Sequence, residues 1–501
     1  MKKYIIPAFV AILAFCAVSC KDFLETNPTS SVSDNQVFTS IQGAEAALNG
    51  CYYLLHFNDE NYGRGDVSGY VSQILTWDTT AEDIIVYGGW YGYDYNFWGH
   101  QRGDIFKTYT LWNYYYVLIN NLNSVIHFTP LIEGASEAEI NAVVGQAKAM
   151  RGWSYFMLAQ IFQHTYQLSH PRNMPGVPIY TEPTTDQTEG KGRGTIDDTY
   201  KQVLDDLLDA ESELSGYSRL AKNHVDRSVV QGILARVYLV MQDWPKAEEY
   251  AAKARSGYPL TTNEDWNNGF NDINTGSWMW GLMQDKENKL YGNGDYGPFA
   301  MWANWITRNG GDLWSFNCFY LPNAFVALFD ENDIRRQQMW YKADAGYGLY
   351  CSNKFYDTLD MTGSFPYMRA DEMLLIEAEA KAHQSGKEAE AQALLGQLQA
   401  MRGAAVSTKT GDALVEDILL ERRKELYGEG FGWLDIIRNC KPLVREGNHI
   451  DYSGSVQIPA KSWRFVYQIP QNEILNNPNI NSDFWPAGDQ NVFDAISVTL
   501  E

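Results

Sequence analysis

The sequence predicts a mainly α fold, a tetratricopeptide-like solenoid of helical pairs with an irregular, loop-rich insertion containing short strands. Three observations predict it. Two distant segments repeat one spacing of small residues, the mark of stacked helical pairs. A stretch of about a hundred residues rich in Gly, Asn, Asp and Trp separates them, as an insertion on one face of a repeat array would. A second irregular excursion, dense in aromatic rings, precedes the first long helix.

The chain opens on Lys2 and Lys3, the apolar run YIIPAFVAILAF, and the small residues Ala17, Val18 and Ser19 ahead of Cys20. A basic start, an apolar core too short to span a bilayer and small residues define a secretory signal, residues 1–19, which takes no part in the fold. A cysteine at that position resembles a bacterial lipoprotein cleavage site, with Cys20 as the acylated first residue and 20–34 as a lipidated tether. Ordinary cleavage beside an incidental cysteine is the alternative. Each buried acyl methylene contributes about 0.8 kcal/mol, so two or more chains anchor stably. The residues CKD resemble the surface-export signal of Bacteroidetes lipoproteins.

Residues 35–259 read as helical scaffold, interrupted at 60–104 by the aromatic loop. EDIIVYGGWYGYDYNFWGH, residues 82–100, holds seven aromatic rings and four glycines, too much glycine for a regular helix or strand. A helix is expected from near Trp112, and LWNYYYVLINNLNSVI is expected to pack with EAEINAVVGQAKAMRGWSYFMLAQIF. TIDDTYKQVLDDLLDAESEL is amphipathic, with Thr195 and Asp198 at capping-box spacing. In ILARVYLVMQDWPKAEEYAAKARSGYP, Ala235 and Tyr238 face Ala247, Ala251 and Ala254, offsets that let two helices approach closely. LLIEAEAKAHQSGKEAEAQALLGQLQAMRG repeats the spacing, with a turn at Gly386 and Ala391, Leu395 and Leu398 at the matching offsets. Residues 260–366 form the loop-rich insertion, where SWMWGLM reads as a short strand with Trp278 and Trp280 on one core-facing side. Residues 367–501 hold the last repeats and a C-terminal segment, in which Glu421, Arg422, Arg423, Glu425 and Glu429 read as a solvated or intrahelically paired charged face.

Composition narrows the function. A formal net charge of −23 repels nucleic acid and anionic headgroups, so neither is an expected ligand. Beyond Cys20 only Cys51, Cys318, Cys351 and Cys440 remain, widely spaced, with three possible disulfide connectivities and no zinc-site pattern. The glycines of YGNGDYG lack the order of a phosphate loop, and His164 and His170 lack metal-ligand spacing. No cofactor, metal or catalytic residue is expected.

Several phrases together resemble one family. GQAKAMRGWSYFMLAQIFQHTYQLSHPRNMPGVPIY, DRSVVQGILARVYLVMQDWPKAEEYAAKA, FPYMRADEMLLIEAEAKA, LLERRKELYGEGFGWLDIIR and YQIPQNEILNNPNIN look like the SusD/RagB family of Bacteroidetes outer-membrane nutrient-uptake lipoproteins. The resemblance runs from Cys20 to about Trp485. Gly432 departs from it, because many members carry a basic residue before the Trp-x-Asp. The resemblance implies a non-catalytic, lipid-anchored protein on the extracellular side of the outer membrane. Its implied partners are an oligosaccharide and a SusC-like TonB-dependent β-barrel transporter.

It also implies a glycan site built from the segment before the first long helix and from the central insertion. Those are the two ring-rich regions, and an aromatic face covers the C–H face of a pyranose without stripping its hydroxyls of water. The candidates are Trp90, Tyr91, Tyr93 and Trp98 from the first and Tyr291, Tyr296, Trp302 and Trp314 from the second, with Arg64 and Asp66 as polar partners. Some rings of 82–100 are expected to pack the loop instead, and Trp112, Tyr115, Tyr116 and Trp153 are expected in the core. Two rivals stand beside this reading. An all-helical glycoside hydrolase or polysaccharide lyase would need paired carboxyls, for which Asp83 and Asp94 lie near the rings. A purely protein-binding scaffold would turn its rings to a partner chain.

Overall fold

The structure, a computed structural model, describes residues 37–56, 67, 69–86, 91–96, 103–167, 174–284, 319–342, 349–355, 363–449 and 457–480. Helices dominate them: α1 (Ile41–His56), α2 (Gly69–Thr80), α3 (Phe106–Phe128), α4 (Glu137–Ile161), α5 (Ile196–Glu213), α6 (Arg227–Met241), α7 (Trp244–Ala254), α8 (Ala370–Ala382), α9 (Glu388–Arg402), α10 (Asp412–Leu426) and α11 (Gly432–Arg438). From α3 to α9 each helix packs on the next, which is the expected tetratricopeptide-like stacking. No helix among the described residues is long and apolar enough to cross a membrane.

The repeats close through the residues their spacing selects. Ala235, Ala247, Ala251 and Ala254 are fully buried where α6 meets α7, and Ala391, Leu395 and Leu398 are fully buried under α9. Their short side chains let the axes draw together, and Gly386 makes the intervening turn at φ +83°, a backbone state that costs glycine little. Helix starts are set by side chains: Ser136 with Glu139 and Thr195 with Asp198 form reciprocal capping boxes ahead of α4 and α5. The helix expected near Trp112 begins earlier, at Phe106.

Although the insertion separates them in sequence, α7 and α8 pack directly on each other. Strands at its base draw its ends together: β2 (Trp278–Leu282) pairs antiparallel with β4 (Phe365–Arg369). Trp278 and Trp280 are both buried, as are Trp112, Tyr115 and Trp153. The Trp153 indole meets Tyr70, Tyr115 and Trp280 edge-on, with centroids 4.8–5.8 Å apart. Cys51 and Cys440 carry free thiols.

The charged face expected around α10 is a correction. Glu421, Arg422, Glu425 and Glu429 are buried, and only Arg423 is partly exposed among the five. Glu421 pairs along α10 with Lys424 at 3.2 Å, but most partners come from other elements. Glu425 accepts from Arg335 (2.9 Å), Arg369 (2.9 Å) and Arg402 (2.8 and 3.0 Å), and Glu429 from Arg369 (2.8 and 2.9 Å) and Lys354 (2.6 Å). Burial opposes ionisation of Glu425, yet Arg402, Arg369 and Arg335 outweigh it and hold the carboxyl well below the usual range. Local spacing could not show this, because the opposing charges arrive from distant parts of the chain.

Candidate functional site

The two ring-rich excursions share one root. β1 (Ile85–Val86) pairs antiparallel with β3 (Phe319–Tyr320), Ile85 opposite Tyr320 and Val86 opposite Phe319. The chain leaves β1 toward Trp90 and reaches β3 after Trp314. Segments that composition alone selected are thus joined where one begins and the other ends.

The root is fixed by buried polar groups. After Tyr91 the chain forms one helical turn, Gly92–Tyr95, whose Asp94 is fully buried 3.2 Å from the Lys107 ammonium and accepts from the Thr76 hydroxyl at 3.3 Å. Arg445, also buried, donates to the carbonyls of Thr79 (3.2 Å), Thr80 (2.8 Å) and Ala81 (3.0 Å) and to that of Tyr95. It therefore caps the end of α2 and ties it to the aromatic loop. His449 bridges the same parts, with Nδ1 2.8 Å from the Tyr95 hydroxyl and Nε2 2.7 Å from the Glu82 carbonyl. Burial, aided by the Arg445 charge, pushes the His449 imidazole down to about 3, so it is neutral. Its neighbour Asn448 accepts at 3.0 Å from the Asn323 backbone, just past β3. The turn Gly447–His449 consequently holds both excursions at once.

Of the candidate ligand residues, Tyr91 is 1% exposed, its ring 5.4 Å from that of Phe319 and 5.5 Å from the Lys107 ammonium. It is buried at the root, packed between Phe319 and Lys107. Tyr93 sits in the turn Gly92–Tyr95. Cys20, Arg64, Asp66, Trp90, Trp98, Tyr291, Tyr296, Trp302 and Trp314, with Cys318 and His170, lie outside the described residues. Of the acids near the rings, Asp94 pairs with Lys107, and Asp83 with the Arg423 guanidinium at 2.8 and 2.9 Å. The described residues contain no cluster of three His, Cys, Asp or Glu able to hold a metal ion.

Sequence reasoning missed Arg445, His449 and Asn448. Nothing near them repeats or alternates, and their role exists only through contacts with segments more than a hundred residues away.

Two family models match the chain. One, described as "Starch-binding associating with outer membrane", covers residues 22–239, and one described as "SusD family" covers 342–485. A SusD-like protein P38 from Formosa agariphila is 24% identical over 96% of this chain and 99% of its own. A crystal structure of a SusD-like carbohydrate binding protein from Bacteroides vulgatus superposes with a TM-score of 0.79 at 27% identity, covering 90% of this chain and 99% of that one. A "laminarin binding SusD-like protein" shares the fold, with a TM-score of 0.68 at 19% identity over 88% of this chain and 98% of that one.

Proposed function

The chain belongs to the SusD/RagB family, and from that premise we propose that it is a surface-exposed glycan-binding lipoprotein, not an enzyme. It captures oligosaccharides and delivers them to a SusC-like TonB-dependent outer-membrane transporter. Cys20 carries the lipid anchor, and the protein faces the extracellular side.

The pairing of β1 with β3 carries this reading. A glycan needs several flat apolar faces side by side, each contributing about as much as an aromatic pair, roughly 0.5–1.5 kcal/mol beyond area burial. Two segments whose sequences are rich in rings are rooted on one strand pair, which supports that reading. Affinity assembled from small increments suits a carrier that must release its cargo. Arg64 and Asp66, with Trp90, Tyr93, Trp98, Tyr291, Tyr296, Trp302 and Trp314, are the residues proposed to touch the sugar. Tyr91 is proposed only to hold the loop.

Affinity electrophoresis against plant, host and microbial polysaccharides tests the proposal. Retardation by a neutral glycan, weakened in Trp90→Ala and Trp98→Ala at unchanged melting temperature, is the expected result. New reducing ends would favour the hydrolase instead. A co-purifying barrel with no sugar binding would favour the protein-binding scaffold.

A further inference from the structure

A second concave site lies over one face of α3, its described lining drawn from outside residues 60–104 and 260–366. It is a groove of about 470 Å³, within the range of small-molecule sites. Its floor is one helix stripe: Tyr109, Trp112, Asn113, Tyr116 and Asn120 recur three, four, seven and eleven positions from the first, on one side of α3. One wall is the segment from Pro178 to Thr188, and the other is the helical turn Gln471–Asn476. Both walls come from phrases that the aromatic site leaves unexplained, MPGVPIY and IPQNEILNN.

Buried side chains hold the walls in place. Tyr155 donates its hydroxyl to the Tyr180 carbonyl (2.8 Å) and accepts from the Tyr180 amide (2.7 Å). Tyr116 donates to the Pro178 carbonyl at 2.9 Å, and Asn120 accepts from the Thr184 amide at 2.8 Å. On the other side the Gln471 amide donates to the Gly103 carbonyl, and Asn477 donates to that of Lys191, at 2.8 and 3.0 Å. A wall already fixed costs a ligand little ordering entropy.

The chemistry of the lining selects a ligand class. Tyr109, Tyr116 and Tyr180 are each half-buried, so ring surface is offered to the groove. The Tyr116 and Tyr180 rings stand at 88° with centroids 6.1 Å apart, giving two differently oriented apolar faces. Beside them the Asn113 and Asn472 amides make no side-chain hydrogen bond to the described protein, leaving donors and acceptors for hydroxyls. Glu473 is the sole charged residue among the described lining. The Lys191 ammonium, 5.3 Å from the Tyr180 ring centroid, is engaged by the Ile179 carbonyl at 2.9 Å, so the lining itself offers no cation to an anionic group. From this arrangement we infer that the groove is a second carbohydrate subsite, which takes a short neutral oligosaccharide. Its described lining residues fall outside 60–104 and 260–366, with the Gly103 carbonyl at the end of the first excursion bracing one wall.

The test is calorimetric titration of the full mature protein with maltotriose, cellotriose and tri-galacturonic acid. It is run on the native sequence, on Tyr109→Ala and Asn113→Ala, and on Trp90→Ala/Trp98→Ala. A neutral trisaccharide should bind, and its Kd should rise about tenfold or more in Tyr109→Ala. It should be unchanged in Trp90→Ala/Trp98→Ala. Asn113→Ala, which removes no side-chain hydrogen bond among the described residues, decides the matter should Tyr109→Ala lower the melting temperature. Native affinity in both groove variants, loss only in the tryptophan variant, equal binding of the acidic trisaccharide, or no trisaccharide binding would each overturn the inference. Tryptophan variants that keep polysaccharide affinity while the groove variants lose the trisaccharide would overturn the aromatic-excursion reading and leave the groove standing.

Discussion

The Arg445 guanidinium lies 4.2 Å from the centroid of the Tyr95 ring while it donates to the carbonyls that end α2. One side chain thereby satisfies backbone acceptors of a core helix and stacks on the loop that leaves it. Truncation in Arg445→Ala should remove both, leaving buried carbonyls without a donor. Each such group costs about 1–3 kcal/mol, so a loss of about 3 kcal/mol or more is expected in urea unfolding at constant m. Arg445→Lys should recover only part of it, because an ammonium cannot present a planar fork to several acceptors while lying flat on a ring.

His449 makes the same root sensitive to acid. Its imidazole is neutral in the fold, receiving the Tyr95 hydroxyl at Nδ1 and donating from Nε2 to the Glu82 carbonyl. Burial lowers its value from 6.5 to about 3. Between those values the unfolded chain binds a proton that the folded site refuses, so its contribution to stability is complete above about pH 6.5 and falls as pH drops toward 3. His449→Gln should therefore flatten the dependence of melting temperature on pH between 7 and 4. A slope identical to the native protein would show that the proton goes elsewhere, for instance to His164, which burial also lowers to about 3.

What the sequence discloses of this fold follows from the range of each signal. Ala247, Ala251 and Ala254 lie on one helix face, so their periodicity marks their burial before any partner is known. Thr195 and Asp198 act within one turn, and their cap is equally legible. Ring density at 82–100 marks an unusual segment, but not that Tyr91 turns inward on Phe319, which lies in the other excursion. The charges of α10 mislead for the same reason. Spacing on one helix suggests pairing along it, whereas Glu425 meets arginines from three other segments.

That buried network predicts a second, more acidic transition. Glu425→Gln keeps the shape but leaves Arg335, Arg369 and Arg402 without their shared anion. Breaking a buried ionic cluster from one side costs about 3–5 kcal/mol. In the native protein Glu425, Glu429 and Asp435 are all held below their ordinary values, where nearby cations outweigh the burial that opposes their charge. Their contribution is present above about pH 4.5 and is lost as pH falls through the depressed folded values. Chemical denaturation at pH 7, 4.5 and 3 should show most of the native loss below 4.5. In Glu425→Gln, stability should already be low at pH 7 and fall less below 4.5.

Gly432 opens α11, and the packing there predicts that the position does not accept the basic residue that the family resemblance leads one to expect. Its amide donates to Asp78 Oδ1 at 2.9 Å, and the Gly430 amide donates to Oδ2 at 2.8 Å, seating α11 on the end of α2. A Cβ at Gly432 would lie 2.8 Å from the Ala81 Cβ and 3.0 Å from Asp78 Oδ1. Both neighbours are short and held by backbone, so the helices must part rather than a side chain swing aside. Such overpacking costs about 1–3 kcal/mol. The parting would also lengthen two hydrogen bonds to Asp78, whose carboxyl burial already pushes up to about 7. Gly432→Arg should thus lower stability by at least the overpacking cost, whereas Gly432→Arg with Asp78→Gly, which frees space on α2, should lose less than the sum of the two single changes. Additive losses in urea unfolding would mean that the two positions are not in contact, and that the seat of α11 on α2 lies elsewhere.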